Sequence, residues 1–213
     1  MTLLEKLNRK IGRFSIPRLM IGLSAIMLVV YLVALFEPRI LTYLVLDRDL
    51  LFQGQVWRLI TFLFVPPDSS PVWLLLSLYF YCLIGNTLEN QWGSFRFNLF
   101  YLCGAVGAIL ASLITGYGTN EYLNLSLFFA FAALFPDYQI LLFFFLPIKV
   151  KWLALLDGLL YVYLLIIGTW TMRAAILMSL INVILFFGGG LIRHLRQQSS
   201  YWKTRRNYRR YNR

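Results

Sequence analysis

The sequence predicts an all-α polytopic membrane protein, a bundle of six transmembrane helices. Three observations carry that expectation. Apolar residues make up 60% of the 213, only 14% are charged and mean hydropathy is +0.69, more apolar surface than a water-soluble domain of this size can hide. The apolar residues fall into runs separated by proline, glycine and charged residues. The cations gather at the two ends: of 20 Lys and Arg, five lie between Lys6 and Arg18 and eight between Arg193 and Arg213. Basic flanks mark cytoplasmic segments, so both termini are expected inside and the number of spans even.

Taken in order, residues 1–16 read as a short basic amphipathic segment, with Leu3, Leu4, Leu7 and Ile11 on one side. The apolar run after it, Leu19 to Phe36, is too long for the core of a signal peptide. It ends in Glu37-Pro38-Arg39 rather than in small residues, so it reads as a retained first span. Starting at Pro17 or Arg18, it is ~30 Å long at about 1.5 Å per residue, one hydrocarbon thickness. Residues 37–70 are too apolar for a solvated loop and too interrupted for two spans. They fit an element embedded in the outer interface, with Trp57 as its anchor. A second helix is expected from Pro71 to Leu88 and a third from Phe95 to Thr115, with Glu89, Gln91, Trp92, Gly93 and Arg96 in the inner turn between them.

The third helix carries a face of small residues (Gly104, Gly107, Ala108, Ala111, Ser112), which in lipid lets neighbouring backbones pack closely. Gly116 to Glu121 is an outer loop, and a short fourth helix runs from Tyr122 to Phe135. The apolar run that follows, up to Leu146, is too short to span and is expected along the inner interface, with Lys149 and Lys151 on the cytoplasmic side. A fifth helix is expected from Leu153 to Gly168 with Asp157 near its start, Arg173 in an outer turn, and a sixth helix from Ala174 to Ile192. Residues 17–192 thus form the membrane unit and residues 193–213 a basic aromatic tail. On this topology 16 of the 20 cations lie inside, which satisfies the positive-inside rule.

Polar side chains inside apolar spans cost about 3 kcal/mol each, which makes them the first candidates for function. Glu89 is placed to pair with Arg96 across the inner turn, and Arg58 to cap carbonyls of the outer loop; either contact can equally well do no more than pin helix ends. Cys82 and Cys103 both fall inside apolar spans and have no histidine nearby, so neither a disulfide framework nor a metal site is expected, and no cofactor.

Several of these residues, in this order, carry a family resemblance. Trp57-Arg58-Leu59-x-Thr61 is followed by the outer loop and the second helix. Then come Gly85, Glu89, Gly93 and Arg96, spaced G-x3-E-x3-G-x2-R, a short fourth helix ending in Phe-Pro, and Pro147-x-Lys149-x-Lys151-Trp152. Over roughly residues 52–192 the chain resembles the rhomboid superfamily, which implies a six-helix rhomboid-like bundle with a membrane-embedded first outer loop. Active members of that family cut substrates within the membrane with a serine in a G-x-S-G motif on the fourth helix and a histidine on the sixth. A serine hydroxyl needs such a base to take its proton, and nearby donors to hold the oxyanion.

Here the matching stretch is Asn124-Leu125-Ser126-Leu127, with a serine in place and both glycines gone. The sixth helix carries Ser179 and Asn182 but no histidine. The chain's one histidine, His194, is expected at the far, cytoplasmic end. Pro66, Pro67 and the stretch from Ser69 to Trp73 stand where the family's proteases carry histidine, and Ser77-Leu78 where they carry asparagine. The chain therefore resembles the rhomboid pseudoproteases, including derlin-like proteins. That resemblance implies a catalytically inactive protein that binds or routes other transmembrane proteins, which enter between the second and fifth helices. Asn124, Ser126, Ser179 and Asn182 would be the remnant of an active-site region. The alternative is a divergent intramembrane serine protease using Ser126 with an unrecognised base. A transporter or channel is a third class, weakened by the lack of charges at mid-membrane.

The tail from Tyr201 to Arg213 alternates aromatic residues with arginines. Directly after a membrane helix, this pattern favours anionic lipid over nucleic acid as the partner. The expected location is the plasma membrane of a prokaryote, with an organelle membrane as the other possibility.

Overall fold

The computed structural model describes residues 15–67, 70–142, 146–184 and 186. The amphipathic reading of residues 1–14, the end of the sixth helix beyond Phe186, His194 and the 193–213 tail lie outside the described residues. The fold is mostly helical. Helix α1 spans Leu19–Phe36 and is followed by a segment of short elements: α2 (Ile40–Leu44), strand β1 (Leu46–Asp47), α3 (Arg48–Phe52), α4 (Arg58–Thr61) and a 3₁₀ turn (Phe62–Phe64). Then come α5 (Pro71–Trp92), α6 (Ser94–Thr115), strand β2 (Tyr117–Gly118) and α7 (Glu121–Leu134). Strands β3 (Gln139–Leu142) and β4 (Leu146–Lys149) precede α8 (Val150–Ile167), and α9 covers Trp170–Ile184. Helices α1, α5, α6 and α8 are long and apolar enough to cross a membrane, whereas α7 and the described part of α9 are shorter apolar helices.

The core lies where α1, α5, α6 and α7 meet. Met20, Leu88, Phe97, Phe100 and Phe131 are fully buried there. In lipid, where tails are as apolar as leucine, this cohesion comes from close packing rather than from escape from water, so small residues decide it. Gly85 is such a residue: a Cβ there would run into the Cγ and Cβ of Met20. The outward faces are lined with apolar side chains such as Phe36, Val72, Ile114 and Ile166, as a lipid-facing surface requires.

Four local expectations are corrected. Helix α5 runs on to Trp92, so Glu89 sits inside a helix and only Gly93 makes the turn. Gly93 adopts φ 81° and ψ 153°, a left-handed backbone open to glycine. The apolar run after Asp137, expected as a single segment, is a paired one. It folds back as an antiparallel hairpin with Gln139 opposite Lys149 and Leu142 opposite Leu146. Pairing there satisfies backbone amides that a single extended apolar strand would leave bare. Helix α8 begins at Val150, so Asp157 stands about two turns inside it, ~10 Å from its first residue, rather than near its start. Helix α9 begins at Trp170, so Arg173 belongs to its first turn; the guanidinium donates to the Ile166 carbonyl at 2.6 Å and stacks over Trp170.

Candidate functional site

The segment between α1 and α5 is held by one cation. Arg58 is 2% exposed; its Nη1 donates to the carbonyls of Thr42 (2.8 Å) and Val45 (2.6 Å), and its Nε to Gln55 Oε1 (2.8 Å). Thr61 Oγ1 adds a bond to the Leu44 carbonyl at 3.2 Å. The capping role expected of Arg58 is thus realised. The planar guanidinium is suited to it, because it offers several donors in a fixed fork. Trp57, next to it, is half exposed.

Glu89 does not meet Arg96. Its Oε1 accepts from the Arg18 backbone N–H (2.8 Å) and from Ser94 Oγ (2.6 Å), while Arg96 is exposed and forms no ion pair among the described residues. The extra turn of α5 turns Glu89 toward the start of α1. Arg18 there takes a left-handed backbone (φ 54°, ψ 42°), costly for a non-glycine residue, and the carboxylate secures its N–H.

The four polar residues singled out by the resemblance, Asn124, Ser126, Ser179 and Asn182, come from α7 and α9, and three of them converge near Gly104. Ser126 is fully buried; its Oγ donates to the Leu123 carbonyl at 2.7 Å and accepts from Asn182 Nδ2 at 3.2 Å. The Asn182 amide also lies 3.5 Å from the Phe100 carbonyl. A Cβ on Gly104 would collide with Leu123 Cδ1 and come within 2.7 Å of Asn182 Nδ2, so the missing side chain is what admits the asparagine. Ser179, also buried, borders a cavity of about 220 Å³ between α6, α7 and α9, together with Ala108, Ala111, Tyr122 and Met178. Asn124 points elsewhere. It lines a second, open groove of about 320 Å³ between α5, α7 and α8, whose walls include Ser77, Tyr81, Phe128, Asp157 and Tyr161.

Residues 19–192 match the family described as eukaryotic integral membrane protein (DUF1751). The chain belongs to this family. A prokaryotic plasma membrane, the location expected from the sequence, is thereby replaced by a eukaryotic membrane. No curated protein matches the chain.

Two features of this eukaryotic membrane protein went unnoticed in the sequence. Asn120, buried at the start of α7, donates to the carbonyls of Leu63 (3.2 Å) and Val65 (2.9 Å) and so fastens the 3₁₀ turn to α7. Beside it, Leu46 and Asp47 pair with Gly118 and Tyr117, a two-residue ladder that no alternation pattern announces. The second feature is the acidic lining of the groove, Glu121 together with Asp157. An acid within the apolar 150–167 stretch was its only sequence signal.

Proposed function

We propose that this chain is a rhomboid-like, catalytically inactive membrane protein of six spans that binds or routes other transmembrane proteins. Both termini lie in the cytoplasm and α7 and α9 act as the short fourth and the sixth span. One observation carries the reading: the state of Ser126. Its proton is given to the Leu123 carbonyl, and its lone pair is met by an amide N–H, a group that donates and does not take protons. A nucleophile needs the reverse, a base on its hydrogen. The chain's single histidine is His194, twelve positions beyond Asn182.

The groove between α5 and α8 supports the binding half of the proposal. Only Val150 of α8 is buried, and the helix makes its main contacts with α7 and β4, leaving the side toward α5 open for a docked helix. The basic tail would rest on anionic lipid, each cation near the surface adding about 1 kcal/mol.

The test uses the full chain in proteoliposomes. A fluorophosphonate probe and single-span rhomboid substrates should give neither labelling nor cleavage, and photo-crosslinkers on α5 and α8 in cells should capture transmembrane proteins. Labelling abolished by Ser126→Ala would overturn inactivity, and recovery of lipid alone would overturn client binding.

A further inference from the structure

The groove between α5 and α8 carries acidic groups that no cation among the described residues answers. Glu121 and Asp157 both line it, and both lie within electrostatic reach of Tyr161 on α8. Neither pairs with a Lys or Arg among the described residues, where the ion pairs are Arg48 with Asp49, and Lys149 and Lys151 with Asp137. Asn124 adds an independent sign. It is 5% exposed and lines the same groove, and the polar group it meets there is the Tyr81 hydroxyl. An open groove that holds a buried amide, the half-buried Asp157 and the exposed Glu121, with no cation beside either acid among the described residues, is shaped for a polar occupant.

Around these groups the groove is apolar and aromatic. Phe80, Ile84, Leu125, Phe128 and Leu153 line it, and Tyr122 and Phe129 close edge-on against Tyr161 along the α7–α8 seam. An occupant must therefore be apolar along its length and cationic at one level.

We propose that the groove receives transmembrane segments that carry a lysine or arginine, whose cation is met by Asp157 and Glu121 while its stem lies over the aromatic wall. The argument is charge complementarity: a basic side chain is costly in a lone membrane helix, and this groove offers the carboxylates that offset the cost. Aromatic faces beside them add attraction for a cation. The inference rests on the docking reading above and names the class of segment it selects.

The experiment uses the full-length protein in proteoliposomes with a photo-crosslinker at Leu153, and two single-span peptides differing at one mid-helix position, lysine in one and methionine in the other. The lysine peptide should be captured about tenfold more than the methionine peptide, a factor within reach of one membrane-buried polar contact. Asp157→Asn with Glu121→Gln should bring its capture down to the methionine level. Because that double variant could fold poorly, Asp157→Lys is tested as well, and it should invert the preference toward a glutamate-bearing peptide. Equal capture of the lysine and methionine peptides would overturn the charge selection while leaving helix docking intact. Lipid adducts alone, with neither peptide captured, would overturn both.

Discussion

The Asn182 side-chain amide donates to Ser126 Oγ across the α7–α9 contact at 3.2 Å, and the serine passes its own hydrogen to the Leu123 carbonyl at 2.7 Å. This chain of bonds is a structural tie, and its strength is open to measurement. A double-mutant cycle of Ser126→Ala and Asn182→Ala, followed by thermal unfolding in detergent, should return a coupling of ~1 kcal/mol. Additive effects of the two substitutions would contradict the tie.

Gly104 is the seat of that asparagine. Gly104→Val places a branched side chain where Leu123 and Asn182 already stand, and overpacking of this kind costs about 1–3 kcal/mol. The unfolding temperature should fall. A variant as stable as the parent would mean that Asn182 does not rely on the gap.

Arg58 answers two carbonyls and one amide oxygen while almost fully buried. Arg58→Lys keeps the charge but not the fork, and it should cost about 2 kcal/mol; Arg58→Ala should cost more, because the Thr42 and Val45 carbonyls lose their donor. Limited proteolysis of the 37–65 segment reads this directly: cleavage there should accelerate in the order Arg58, Lys, Ala.

Glu89 separates geometry from charge. Glu89→Gln keeps an acceptor for the Arg18 N–H and for Ser94 and should lower stability by less than about 1 kcal/mol, whereas Glu89→Ala removes both bonds and should cost roughly twice as much. Arg96→Ala should be silent in the same assay, since Arg96 is exposed and the hydrogen bonds of Glu89 run from its Oε1 to the Arg18 N–H and Ser94. A loss on Arg96→Ala equal to that of Glu89→Ala would restore the ion pair that the sequence suggested.

Asp137 sets a pH dependence. Hydrogen bonds from Lys151 (2.9 Å) and Lys149 (3.3 Å) hold its carboxyl below the ordinary value near 3.8. The lowered value means that the native state favours the carboxylate. The stabilisation is therefore fully present above pH ~4 and is lost as pH falls through the lower, folded value. Comparing the parent with Asp137→Asn across pH 2–6 should show a gap at pH 6 that closes in acid. The gap should shrink in high salt, because the pair is exposed to solvent. A gap independent of pH would refute the assignment.

How much of this could be read from residues alone depended on the range of the interaction. Arg58 was legible because a cation among apolar residues, close to a loop rich in carbonyls, has few other ways to be satisfied. The helices α1, α5 and α6 were legible because length and hydropathy are local properties. Glu89 was misread because a single extra turn of α5 carries its carboxylate from the connecting turn to the Arg18 backbone, 71 positions away in sequence. The hairpin from Gln139 to Lys149 was missed because an unbroken apolar run shows no strand alternation, and only Pro136 and Pro147 argue against a helix. Asn120 was passed over for a similar reason: nothing local to it predicts that Leu63 and Val65 come within reach.

The Asp137 contacts also anchor one wall of the groove. Lys149 and Lys151 bracket the first residue of α8, and the amides of Val150 and Lys151 donate to Tyr138 and Pro136, so that end of the helix is pinned to the hairpin base. The whole helix is ~27 Å long and its main packing partner is α7. The opposite end is tied as well, because the Arg173 guanidinium of α9 donates to the Ile166 carbonyl. In the docking proposed above, a guest helix would meet a wall held at both ends, with α7 behind its middle.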